Sequence, residues 1–174
     1  GFVRRIEGAE TDAEITPDNW LAMRDARDAS DTYCPDEAVT DRQREAIRQA
    51  KIDKDTVGGW VEAHFFGVPI GVGSCMDWRT KLDARIAYAV VGIQAFKAVE
   101  LGLGVRCGTM RGSDVHDPIG YDAQQAERAN LGFVRTRNNA GGLEGGMTNG
   151  TPLVIRGTMK PISTLLKGLP SSKV

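Results

Sequence analysis

An α+β fold, with an antiparallel or mixed sheet packed on a few helices, is what this sequence predicts. Three observations carry that reading. Helical periodicity is confined to two stretches, residues 36–51 and 80–91. Strand-like segments are more frequent and do not alternate strictly with those helices, which argues against a doubly wound parallel sheet. A strict period of two appears late in the chain. There Leu153, Ile155, Gly157 and Met159 alternate with Val154, Arg156, Thr158 and Lys160.

In chain order, "GFVRRIEGAE" reads as a short strand with Phe2, Val3 and Ile6 as its apolar members. The charged, weakly periodic stretch that follows reads as a surface connection with one helical turn after Pro17-Asp18. Over 36–51, Val39, Ala46, Ile47 and Ala50 share one helical face. Asp36 is placed to cap that helix, and Glu45 to pair with Arg48 one turn on. "TVGGWVEAHFFGVPIGVG" has the Val and Phe content of a strand that ends at Gly67 to Pro69, with glycines that signal bulges or close packing.

The clearest helix is 80–91, lined by Leu82, Ile86 and Ala89 or Val90 and ended by Gly92 as a C′ residue. Residues 93–101 form a second strand candidate. "RGSDVHDPIGYDAQQAERAN" is polar and reads as an exposed, mobile loop. "LGFVRTR" is a short strand. Asn149-Gly150 is a tight-turn dipeptide leading into the alternating strand, and Pro161 closes that strand.

The bulk numbers narrow the function classes. The 174 residues suit one domain with a real core. Hydrophobic residues make up 41% and charged residues 26%, as in ordinary soluble globular proteins. A net charge of −1 argues against a general nucleic-acid or membrane binder. The 21 glycines have no period, which excludes collagen. Cys34, Cys75 and Cys107 are far apart, with no CxxC pair and no zinc spacing, so no metal site is expected. Scattered thiols fit a reducing cytoplasm better than a secreted disulfide scaffold. No apolar run approaches the roughly 20 residues of a membrane helix. The chain begins "GFVRRIEG", without methionine, which reads as a processed or truncated piece.

Two stretches draw chemical interest. "NNAGGLEGGMTNG", residues 138–150, has the glycines of a loop whose backbone N–H groups converge on an anion. It lacks the Lys-Ser/Thr ending of a P-loop and the GxGxxG spacing. From these residues alone a structural turn and a ligand loop both stand, the turn slightly ahead. In "MKPIST", Lys160 ends the alternating strand and Ser163 and Thr164 add donors. That combination suits a phosphate or an electron-rich ring, and a solvent-exposed lysine equally well. His64 in an apolar strand reads as a satisfied, partly buried histidine. His116 lies between Asp114 and Asp117, and no nucleophile can be tied to either histidine.

Taken in order, "VVGIQAFKAVELG", "RGSDVHDPI", "NNAGGLEGGMTNGTPLVIR" and "MKPIST" resemble signatures of chorismate synthase. "FGVPIGVGS" and "LDARIAYAVVGIQA" resemble the segments that precede them, so the likeness spans about residues 56–166. The resemblance implies a chorismate synthase-like sandwich present as a partial, single domain. In that division residues 1–35 are a strand plus a variable linker, and 36–166 are the family core. It implies an FMN-dependent anti-1,4 elimination of phosphate from 5-enolpyruvylshikimate 3-phosphate, giving chorismate. Reduced FMN is the cofactor, NADP is the associated nicotinamide, and the full-length protein is a cytoplasmic homotetramer that binds neither nucleic acid nor membrane.

The same resemblance assigns cofactor contacts to Gln94 and Ala95, to Gly145, and to Lys160, Pro161, Ile162, Ser163 and Thr164. It transfers no catalytic residue. The family's two catalytic histidines sit in motifs that are not found here, and His64 and His116 do not match them. Neither the arginine-rich substrate motif nor the Arg-Ser-Asp region occurs. The expectation is therefore a central-to-C-terminal piece that is inactive alone, with a non-catalytic flavin-binding or oligomerisation module as the alternative.

Overall fold

A computed structural model describes residues 1–170. Its elements run β1 (Phe2–Ile6), β2 (Ala9–Glu10), α1 (Trp20–Ala29), α2 (Glu37–Ile52), β3 (Gly59–Phe65), α3 (Leu82–Val91) and β4 (Phe96–Leu101). Then come a 3-10 turn at Gly104–Thr109, α4 (Gly112–Val115), β5 (Ile119–Tyr121) and a 3-10 turn at Ala123–Gln125. The last elements are β6 (Phe133–Arg135), β7 (Leu143–Glu144), β8 (Met147–Thr148) and β9 (Leu153–Met159). The fold is α+β, as expected, with antiparallel pairs β1–β2, β5–β6 and β7–β8.

The chain divides into two compact units. One comprises Phe2–Val61 and the segment from Thr158 on; the other comprises Gly1 and Glu62–Gly157. Strands β3 and β9 run through both. In the first unit β2, β1, the start of β3 and the end of β9 are neighbours in that order; in the second, the rest of β3 and of β9 are followed by β4.

The first unit buries Phe2, Ala9, Cys34 and Val39. Helix α2 starts where expected, because the Asp36 carboxylate accepts the N–H of Val39 at 3.1 Å. Arg48 pairs with Glu45 at 2.6 Å in solvent, as expected. The buried face of α2 is more polar than its periodicity implies. Thr40 and Gln43 are buried with Val39, whereas Ile47 is 43% exposed. Gln43 reaches that position by donating from Nε2 to the Ala9 carbonyl at 3.3 Å. Burial also pushes the Cys34 thiol pKa up.

In the same unit α1 corrects the expectation of a linker. Thr16 and Asn19 cap its start reciprocally. The Thr16 N–H donates to Asn19 Oδ1 at 2.7 Å and the Asn19 N–H to Thr16 Oγ1 at 3.3 Å.

The second unit buries Leu143, Leu153 and Ile155. Along β9, Leu153, Ile155 and Gly157 point inward, which bears out the period of two. Three boundaries differ from the sequence reading. β3 ends at Phe65, because Gly67, Gly71 and Gly73 take φ of +72°, +88° and +119°, outside any strand. Gly92 ends α3 as expected, at φ −67°, but β4 begins only at Phe96 and not at Ile93, because Ala95 turns the chain at φ +70°. Residues 111–130 are not a loose loop. They supply α4 and β5, and β5 pairs with β6 through Ile119–Arg135 and Tyr121–Phe133.

Candidate functional site

The glycine-rich segment is fastened on several sides, all within the second unit. Asp117, 7% exposed, accepts the N–H of Asn139 at 2.9 Å on one oxygen and of Ala140 at 3.0 Å on the other. The Asn139 amide donates to the carbonyls of Asp114 and Val115, both at 3.0 Å. Arg137 donates to the carbonyls of Ser113 at 3.2 Å and His116 at 2.7 Å. Asn138 Oδ1 accepts from the Gly142 N–H and the Thr151 hydroxyl, each at 2.9 Å. Gly102 and Gly141 meet backbone to backbone. A Cβ on Gly102 would stand 2.1 Å from the Asn139 oxygen, and one on Gly141 2.2 Å from the Gly102 nitrogen.

β7 and β8 form a hairpin whose turn is Gly145-Gly146, with φ of +61° and +88°. Positive φ at both central residues is what a type I′ turn demands. The two glycines differ in their surroundings. A Cβ on Gly146 would lie 2.5 Å from the Ser74 oxygen, while one on Gly145 would meet nothing within 4 Å. Gly145 is exposed and its backbone is open to approach. Beneath the hairpin, Arg135 bonds Glu144 at 2.6 Å and the Asn149 carbonyl at 3.1 Å. The Asn149 amide reaches the same Glu144 oxygen at 2.8 Å. Asn149-Gly150 leads into β9 as expected, with Gly150 at φ +83°.

Gln94 and Ala95 occupy the turn between α3 and β4. The Phe96 N–H donates to the Ile93 carbonyl at 3.2 Å, which puts Ala95 third in a four-residue turn at φ +70°. That position ordinarily takes Gly or Asn. An alanine held there is the sort of backbone outlier that marks functional loops. Gln94 is exposed.

Behind these turns lies an ionic cluster, also within the second unit. Arg156 bonds Glu62 and Glu100, each at 2.8 Å, and Glu62 meets His64 Nε2 at 2.8 Å. Burial opposes the charge on Arg156, but hydrogen bonds with the two carboxylates hold its pKa above the ordinary value. His64 is partly buried, as expected, and meets its carboxylate partner through Nε2. Among the described residues no group of His, Cys, Asp and Glu is set to hold a metal ion.

Lys160–Thr164 follow β9 in the first unit, and all five are exposed. The structure therefore places Gln94, Ala95 and Gly145 in one unit and Lys160–Thr164 in the other, every one of them outside the apolar cores. The clamping role of Asp117 carried no local signal. Its acidity and the following proline were visible, but its partners lie 22 and 23 residues further on.

The family model for chorismate synthase matches residues 1–174. The chorismate synthase of Geotalea daltonii is 50% identical over 173 residues, 98% of this chain and 43% of that protein. That of Desulforamulus reducens is 49% identical over 143 residues, 82% of this chain and 35% of the relative. A crystal structure of chorismate synthase superposes with a TM-score of 0.84 at 36% identity, covering 94% of this chain and 48% of that one. The chain thus spans less than half the length of these relatives.

Proposed function

The chain belongs to the chorismate synthase family, and on that premise we propose that it supplies one wall of an FMN site. In the longer enzyme that site would serve the elimination of phosphate from 5-enolpyruvylshikimate 3-phosphate. The observation that carries the proposal is a conformational one. Ala95 and Gly145 are held at φ +70° and +61°, and the space where a Gly145 side chain would sit is empty. These are costly or permissive backbone states at the positions where the family resemblance expects a ligand.

The residue chemistry fits the group. The Gln94 amide can donate and accept at a flavin ring edge, and Gly145 admits a close backbone approach. Lys160 brings a positive charge, and Ser163 and Thr164 bring hydroxyl donors, to an electron-rich partner. Reduced FMN, when bound, supplies an electron transiently to an elimination with no net redox change. This chain's share is to bind and orient the flavin and to oppose its negative charge. We transfer no catalytic residue to His64 or His116. The 174 residues alone are accordingly proposed to be inactive.

A second part of the proposal concerns assembly. Met76, Trp78, Tyr88 and Val105 are exposed at 87%, 75%, 85% and 79%. These side chains are the positions at which the assembly contacts of a homotetrameric full-length enzyme are proposed. No helix among the described residues is long and apolar enough to cross a membrane. The exposed free thiols Cys75 and Cys107 support a cytoplasmic setting.

The test is a titration of FMN into the intact enzyme, read by quenching of flavin fluorescence. Lys160→Ala should weaken binding about tenfold, the scale of one charge-assisted contact. Unchanged affinity would overturn the assignment of loop 160–164.

A further inference from the structure

The loop Lys160–Thr164 is exposed throughout, so burial does little to fix it. Its restraint comes from a short segment of the same unit that no motif singled out, Thr56–Gly59. The Thr56 hydroxyl donates to the Ile162 carbonyl at 2.7 Å, across 106 residues of sequence. Two residues on, Gly58 forms a floor. A Cβ there would lie 2.6 Å from the Met159 oxygen and 2.9 Å from Pro161 Cδ. The same two segments face each other across a pocket of about 340 Å³, with Thr56 and Val57 on one side and Ile162 and Thr164 on the other.

The direction of that hydrogen bond has a consequence. In a planar trans peptide the C=O and the following N–H point in opposite directions. Fixing the Ile162 carbonyl onto Thr56 therefore aims the Ser163 N–H away from Thr56. Among the described residues that N–H has no acceptor, whereas the neighbouring Leu165 N–H donates to the Ser163 carbonyl at 3.1 Å. Pro161 provides no N–H, so the Ser163 amide is one of the loop's few outward backbone donors.

We propose that Thr56 is a positioning residue for the cofactor loop: its hydroxyl orients the Ile162–Ser163 peptide so that the Ser163 N–H meets an electron-rich acceptor atom of the bound flavin. This rests on the reading of 160–164 as a flavin loop. Without the hydroxyl, the peptide is free to rotate and the donor is presented only part of the time.

The experiment uses the intact enzyme, with FMN as the probe, and compares Thr56→Val, Thr56→Ser and Lys160→Ala. Thr56→Val should weaken FMN binding about tenfold, the worth of one oriented hydrogen bond. Thr56→Ser should restore it to within about twofold. Affinity for the phosphorylated substrate without flavin should be unchanged in both Thr56 variants. In the wild type FMN should slow amide exchange at Ser163, and in Thr56→Val that slowing should be lost even if the variant is less stable overall. Normal FMN affinity in Thr56→Val alongside weakened Lys160→Ala overturns the role of Thr56 and leaves the loop assignment standing. Normal affinity in both overturns the loop assignment, and this inference with it. Loss in Thr56→Val that Thr56→Ser fails to rescue assigns Thr56 a packing role and overturns the proposal.

Discussion

Segment 138–150 is tied to its surroundings by side-chain and backbone hydrogen bonds from several elements, whereas loop 160–164 stands in solvent on the Thr56 contact and the Gly58 floor. Composition predicts the reverse ordering, since the first is dense in glycine and the second is closed by a proline. Glycine here does not loosen the chain. At Gly102, Gly141 and Gly146 it removes a Cβ that would strike backbone or a packed side chain, so two backbones can lie against each other. The result is a rigid wall, with Gly145 as its one open turn position. The other loop keeps its donors exposed and is held at its backbone, by Thr56 on the Ile162 carbonyl, as suits a segment that presents donors to a ligand.

Four substitutions put this contrast to the test. Gly102→Ala should have the largest effect. Its Cβ would meet the Asn139 oxygen at 2.1 Å with φ at +55°. The expected loss exceeds about 4 kcal/mol by urea denaturation, the range reserved for severe overlap. A loss under about 1 kcal/mol would show that the backbone contact yields. Asp117→Ala comes next, at about 2–4 kcal/mol, because it strips the acceptor from two N–H groups at a buried site. Amide exchange at Asn139 and Ala140 should accelerate with it; unaltered exchange would mean that the clamp does not hold the segment.

Gly145→Ala should cost only about 1–2 kcal/mol, the strain of φ +61° for a side chain that meets no atom. If it costs as much as Gly146→Ala, the open space at Gly145 is not real in solution. Lys160→Ala should change stability by less than about 0.5 kcal/mol, as for an exposed side chain without a structural partner. A larger thermal shift would place Lys160 in the fold instead of the site.

The sequence disclosed those parts of the molecule whose cause is local. Periodicity located α3 and β9, and Asp36 marked the start of α2, because each depends on residues a turn or a strand apart. Helix α1 was obscured by charge. None of its residues is buried, although the reciprocal Thr16–Asn19 hydrogen bonds were present in "TPDN". The left-handed Ala95 carried no signal, since alanine does not advertise positive φ as glycine does. The fastening of the glycine block was illegible for a different reason. Asp117 acts across more than twenty residues, and Thr56 across more than a hundred, so neither can be read before the chain is folded. The candidate contacts themselves came from family resemblance, and the structure adds the conformations in which they are held.

The most direct measurement is hydrogen exchange across the intact enzyme with and without FMN. FMN should slow exchange in three segments, around Gln94–Phe96, around Gly145, and over Ile162–Thr164, with helix α1 unaffected. FMN binding that leaves all three segments unchanged, or protects α1 instead, would contradict the claim that this chain forms a wall of the flavin site.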